Sequence, residues 1–166
     1  MKSYIGGIIG ELEKINNLAE ISTGSRIIDS TIEHLKSVYF DKGINFEVNG
    51  FIPSSFQMTD YDMVTLFSNV FSNAFEAASK INNNPYVKMA IREMNTNIYI
   101  AISNSFDNPE NDKLNLKTTK PNKDNHGFGV GKIREVVDKY DGTIEFSTVK
   151  NKFTVELTLP KMVKKG

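Results

Sequence analysis

Leu66-Phe67-Ser68-Asn69-Val70-Phe71-Ser72-Asn73-Ala74-Phe75-Glu76-Ala77-Ala78 is the stretch from which the fold can be read. With Met63 before it, Leu66, Phe67, Val70, Phe71, Ala74 and Ala78 recur at steps of three and four, which predicts an amphipathic helix burying that face. Asn69, Asn73, Glu76 and Lys80 follow the same periodicity on another face and form a polar stripe. Asparagine competes with the helix for backbone hydrogen bonds, so two in mid-helix cost stability relative to alanine. A merely solvated face would be filled more cheaply by Lys and Glu. A ligand-binding face would use the amide carbonyl as a neutral oxygen donor, suited to magnesium. The stripe by itself leaves both readings open.

The helix has a clear start. Thr59 is a good N-cap, Asp62 stands three places on, and Met58 and Met63 are placed to form a hydrophobic staple. It runs to about Lys80, where Asn82-Asn83-Asn84-Pro85 ends it. Upstream, Ile28, Ile32, Leu35 and Tyr39 predict a helix that begins after Thr23-Gly24-Ser25 and stops at Asp41-Lys42-Gly43, with a short strand over Ile44 to Val48. Earlier still, Ile5, Ile8, Ile9, Leu12, Ile15 and Ala19 have helical spacing, weakened by the glycines among the first ten residues. Downstream, Val87, Met89 and Ile91, then Ile98, Ile100 and Ile102, alternate as two strands about an Asn95-Thr96-Asn97 turn. Val130, Ile133, Val137 and Tyr140 trace a further helix ended by Asp141-Gly142. A closing hairpin turns at Lys150-Asn151-Lys152. This order predicts an α+β two-layer sandwich: a mixed, mostly antiparallel sheet with helices packed on one face.

Between Ser105 and His126 the chain is polar and long for a loop inside a compact domain, a sign of function or mobility. It ends in Gly127-Phe128-Gly129-Val130-Gly131, read as a glycine loop directly before a helix, where small residues let the backbone and the first helical amides approach a phosphate. A flexible capped loop is the plainer alternative. The dinucleotide fingerprint does not fit, because its last glycine is replaced by Lys132. A Walker A loop does not fit either, because only three residues separate Gly127 from Gly131 and Ile133 follows the lysine.

The bulk numbers exclude several classes. Lys plus Arg equals Asp plus Glu at 20 each, which argues against nucleic acid as a partner. With no cysteine and two histidines, disulfides, Cys-based zinc sites and a His-rich metal centre are excluded. No apolar run reaches the roughly 20 residues of a membrane span, and the start lacks the long apolar core of a signal peptide. Hydrophobic residues at 39% and charged residues at 24% are globular values.

Taken together, these stretches resemble the GHKL superfamily of ATPases and kinases, whose fold is the Bergerat ATP-binding fold. Residues 66–78 look like its N box, His126-Gly127-Phe128-Gly129-Val130-Gly131-Lys132-Ile133 looks like the glycine box that closes an ATP lid, and Ile100-Ala101-Ile102-Ser103-Asn104-Ser105 falls where the adenine motif should be. Within the superfamily the likeness is to the ATP-binding catalytic domain of sensor histidine kinases, and among these to the peptide-sensing, quorum-sensing type. The resemblance implies ATP and Mg2+ as cofactors, with Asn73 as magnesium ligand and Asn69 supporting it as the catalytic pair. It also implies Asn104 reading adenine, and the Gly127, Phe128, Gly129, Val130 and Gly131 segment holding the phosphates together with His126. Charge on the γ-phosphate would be met by Lys80, Lys120 or Lys132. Glu76 departs from the basic residue that many histidine kinases carry. Asn69 stands where hydrolysing members have glutamate, so transfer to a separate acceptor is favoured over hydrolysis.

Neither histidine looks like a phosphoacceptor: His34 is followed by Leu35, and His126 by Gly127. The expected organisation is therefore residues 1–22 as the tail of a helical dimerisation region or linker, 23–160 as the catalytic domain and 161–166 as a tail. The acceptor histidine would lie on a dimerisation domain of the same kinase outside this chain, with a response regulator as indirect partner and the cytoplasm as location. The competing class is a non-catalytic nucleotide-binding or interaction module that kept the fold.

Overall fold

The computed structural model describes residues 21–108 and 127–162. Its elements follow the order α1 (Arg26–Val38), a 3-10 turn (Phe40–Lys42), β1 (Asn45–Asn49), α2 (Asp60–Ser79), β2 (Tyr86–Glu93), β3 (Asn97–Ser105), α3 (Gly127–Lys139), β4 (Thr143–Val149) and β5 (Lys152–Pro160). The five strands form one sheet ordered β1-β2-β3-β5-β4. Among the described residues only the β1–β2 pair is parallel, and the other three pairs are antiparallel. The mixed, mostly antiparallel sheet expected from the sequence is therefore the one found. The helical pattern of residues 5–19 lies outside the described residues.

Alternation along the strands sorts the sheet into two faces. On β3, Ile98, Ile100, Ile102 and Asn104 are buried while Asn97, Tyr99, Ala101 and Ser103 are partly open. The buried set joins Val87, Met89 and Ile91 of β2 and Val155, Leu157 and Leu159 of β5 in one core with the helices. α2 lies at its centre, touching α1, α3, β2 and β3. This explains why its buried arc is wider than its periodicity suggested. Phe75 is 1% exposed because α1 and β1 close over it, with Tyr39 and Phe46 stacked at 6.1 and 6.0 Å. Burial of Phe67, Phe71 and Phe75 contributes roughly 1.5–3 kcal/mol each.

Local chemistry accounts for the element ends. Ser25 caps α1 by accepting from the Ile28 amide, and Asp29 reaches back to accept from the Thr23 amide and hydroxyl at 2.8 and 2.7 Å. Thr59 caps α2 by accepting from the Asp62 amide. α3 ends in a Schellman motif. The Gly142 amide donates to Val137 O at 2.9 Å and the Asp141 amide to Asp138 O at 3.1 Å. The left-handed residue is Asp141 (φ 55°), not the glycine. Gly142 is required for space, since a Cβ there would lie 2.6 Å from Leu159 Cδ2 and 2.8 Å from Thr158 O.

Candidate functional site

α2 and α3 pack against each other in opposite directions, and each end of the contact has its own chemistry. At one end the start of α2 meets the end of α3 around Asp62, which is 3% exposed. Its Oδ2 accepts from the Tyr140 hydroxyl at 2.6 Å, from Lys139 Nζ at 2.9 Å and from the Thr59 hydroxyl at 2.9 Å. The Tyr140 oxygen in turn accepts from the Thr59 amide at 3.1 Å. The hydrogen bond from Tyr140, then that from Lys139, holds the Asp62 carboxyl below its ordinary range against the opposing effect of burial. Charge-assisted bonds of this kind are the strong ones. Asp62 also pulls the Lys139 ammonium upward.

At the other end the glycines of α3 meet the polar stripe of α2. A Cβ built on Gly129 would lie 3.5 Å from Asn69 Oδ1, 3.6 Å from Asn73 Nδ2 and 3.9 Å from Asn73 Oδ1. The two motifs read separately from the sequence are thus neighbours in space. Asn69 is held by its own helix, its Nδ2 donating to Thr65 O, which leaves Oδ1 directed at α3. Asn69 and Asn73 are both half-buried. Gly131, by contrast, is exposed, and a Cβ on it would meet nothing within 4 Å.

The glycine segment differs from the expected loop. Gly127, Phe128, Gly129, Val130 and Gly131 lie within α3, which is described from Gly127 onward, rather than in a loop before it. Glycine in a helix costs about 1 kcal/mol relative to alanine. The cost is offset further along, where Ile133, Val136 and Val137 are buried against the core. The backbone amides of a first helical turn lack intrahelical acceptors and carry the positive end of the helix dipole. Among the described residues, the glycines of α3 stand beside the Asn69 and Asn73 amide side chains, with Gly129 in contact with both.

The remaining expected site residues fall in three groups. Asn104 is 2% exposed on the helix-facing side of β3, and its Nδ2 donates to Ser105 O at 2.9 Å. Glu76 and Lys80 continue the stripe in the open and approach each other at 4.0 Å, a contact of little energetic weight. Lys120 and His126 lie outside the described residues. His34 is exposed on α1. Among the described residues no three His, Cys, Asp or Glu side chains cluster to hold a metal. The Asp62–Lys139–Tyr140 cluster was missed: Asp62 was legible as a capping position, but its partners on α3 were not.

A two-layer sandwich with an asparagine helix facing a glycine-started helix defines a GHKL-type ATP-binding fold. The GHKL domain family matches residues 58–160, and the chain belongs to that family. No curated protein sequence matches it. Among solved structures it resembles the catalytic domain of histidine kinase ThkA, with a TM-score of 0.68 and 19% identity over 87% of this chain and 97% of that one. The mycobacterial sensor histidine kinase MprB gives 0.60 and 16% over 81% and 91%. The Acinetobacter baumannii histidine kinase AdeS gives 0.66 and 11% over 96% and 79%. The fold is that of histidine kinase catalytic domains.

Proposed function

We propose that this chain is the ATP-binding catalytic domain of a two-component sensor histidine kinase, serving transfer of the γ-phosphoryl group to a histidine on a dimerisation domain outside it. The observation that carries this reading is the approach of Gly129 to Asn69 and Asn73. The donor set fits magnesium-ATP: neutral amide oxygens for a hard cation, helical amides for phosphate oxygens, and a glycine that leaves the space beside the asparagines open. When bound, the nucleotide supplies the phosphoryl group and the metal supplies charge neutralisation.

The residues do the positioning. Asn73 offers its Oδ1 as metal ligand, and Asn69, anchored to Thr65 O, keeps a second amide oxygen beside it. The backbone amides of the Gly127–Gly131 segment would hold the phosphates. Asn104 spends its amide nitrogen on Ser105 O, which suits its carbonyl to accept from an adenine amino group. Because Asn69 is an amide, it cannot serve as the base that hydrolysis needs, and phosphoryl transfer by positioning and charge stabilisation is favoured. Asn104-Ser105 in the adenine motif supports the peptide-sensing, quorum-sensing subtype. A response regulator is the downstream partner on this reading and the cytoplasm the location. The structure of ThkA in complex with the response regulator TrrA, which matches 99% of this chain and 52% of that one with a TM-score of 0.67 and 18% identity, is of that kind. No helix among the described residues is long and apolar enough to cross a membrane.

Titration with a fluorescent ATP analogue, with and without magnesium, tests the reading. Magnesium-dependent binding is expected, and its absence at about 1 mM nucleotide, the weak limit of specific affinity, would favour a non-catalytic interaction module. Autophosphorylation of a longer chain carrying the dimerisation region is expected to be lost on Asn73→Ala. Undiminished activity in that variant would sink the assignment.

A further inference from the structure

Two of the contacts between α2 and α3 are equally spaced on both helices. Asp62 and Asn73 are eleven residues apart on α2, and so are Gly129 and Tyr140 on α3. At the rise of an α-helix each separation is about 16 Å. One alignment of the antiparallel pair therefore satisfies both contacts, Tyr140 on Asp62 and Gly129 beside Asn73.

Between these points the packing is apolar. Ile133, Val136 and Val137 of α3 share one core with Leu66, Phe67 and Val70 of α2, and apolar attraction has no preferred direction. The bonds at Asp62 do. The Tyr140 oxygen donates to Asp62 Oδ2 at 2.6 Å and accepts from the Thr59 amide at 3.1 Å, so two groups at the start of α2 fix it. Lys139 adds a bond to the same Oδ2 at 2.9 Å. Capping does not explain this carboxylate, because Thr59 already caps α2. A buried charge is a poor source of stability, and its best-attested use is to select one arrangement of packed elements.

We propose that Asp62 and Tyr140 are positioning residues: their bond fixes where α3 lies along α2 and so holds Gly129 beside Asn69 and Asn73 at the spacing magnesium-nucleotide requires. The proposal rests on the nucleotide-binding reading above. It assigns to a tether remote from the nucleotide a part in its affinity.

Tyr140→Phe, Asp62→Ala and Asp62→Asn test it against Thr23→Ala, which removes a buried hydrogen bond at the start of α1 instead. Each variant is read at a temperature where circular dichroism shows it folded. Tyr140→Phe keeps the ring and its packing, so it carries the test should Asp62→Ala fail to fold. Side-chain amide signals of Asn69 and Asn73 are recorded by NMR without nucleotide, and affinity is titrated with a fluorescent ATP analogue and magnesium. Tyr140→Phe and Asp62→Ala should shift both amide signals, about 10–16 Å along α2 from position 62, and weaken affinity about threefold or more. The bonds from Tyr140, Lys139 and Thr59 converge on one oxygen, so Asp62→Asn, which keeps an acceptor oxygen, should restore most of that affinity. Thr23→Ala should lose stability and move neither readout. Unmoved amide signals or unmoved affinity in folded Tyr140→Phe would overturn the proposal, as would an equal loss of affinity in Thr23→Ala. A parent chain that does not bind the analogue would overturn the functional reading instead, and the amide signals would then decide whether the tether places Gly129.

Discussion

The Tyr140 hydroxyl donates to Asp62 Oδ2 at 2.6 Å, joining residues 78 apart in sequence and tying the end of α3 to the start of α2. The same two helices also meet where Gly129, near the start of α3 as described, stands over Asn69 and Asn73 in the middle of α2. One contact ties the two helices together, and the other lies at the site proposed for nucleotide.

Asp62→Ala should destabilise the domain by about 2 kcal/mol, the scale of hydrogen bonds to a buried charged group. Tyr140→Phe should cost less and Lys139→Ala least, since Lys139 is largely exposed and its bond is screened by solvent. Urea unfolding of the three variants checks the order. If Lys139→Ala proved the most damaging, the burial argument would fail.

Acid should weaken the same tether. The folded pKa of Asp62 lies below its unfolded value, so its contribution is present above the unfolded pKa of about 3.9 and is lost as pH falls through the folded value. Unfolding free energy measured from pH 7 downward should show a loss in the acid range that Asp62→Asn lacks. Parallel pH profiles for the two proteins would contradict this.

Gly129→Ala should act with opposite signs on stability and on nucleotide binding. A Cβ 3.5 Å from Asn69 Oδ1 is an ordinary contact, so the helix should gain up to about 1 kcal/mol from better propensity. The same methyl group fills the space beside Asn73, so affinity for magnesium-nucleotide should fall by at least about tenfold, or 1.4 kcal/mol. Gly131→Ala, which meets nothing, should stabilise without weakening binding. Thermal unfolding and nucleotide titration of the pair separate the two effects.

Asn73→Ala should leave the fold intact, because the side chain is only half-buried, and should remove the magnesium dependence of nucleotide affinity. Circular dichroism and titration with and without magnesium measure the two parts. Retained magnesium dependence would remove Asn73 from the ligand set.

Gly142→Ala should destabilise by roughly 1–3 kcal/mol, the usual cost of overpacking, since the new methyl would press on Leu159 and on the Thr158 carbonyl. A melting temperature unchanged from that of the parent chain would contradict the close approach.

The sequence alone was enough for the elements and their faces. Period and caps are local properties: Thr59, Ser25 and the alternation of Ile98, Ile100 and Ile102 need only their neighbours to be read. The two halves of the candidate site were legible too, as the Asn69–Asn73 stripe and the glycines from Gly127, because each violates what a plain helix or loop would choose. Other features came only with the tertiary structure. Phe75 is buried because α1 and β1 close over α2, and Asp62 is a tether because α3 returns its last turn to the start of α2. Gly142 is needed for room beside Leu159 rather than for its backbone angle. Gly129 faces the asparagines while Gly131 faces open space. Each depends on which elements become neighbours, and packing between segments far apart in the chain leaves no periodic trace in either one.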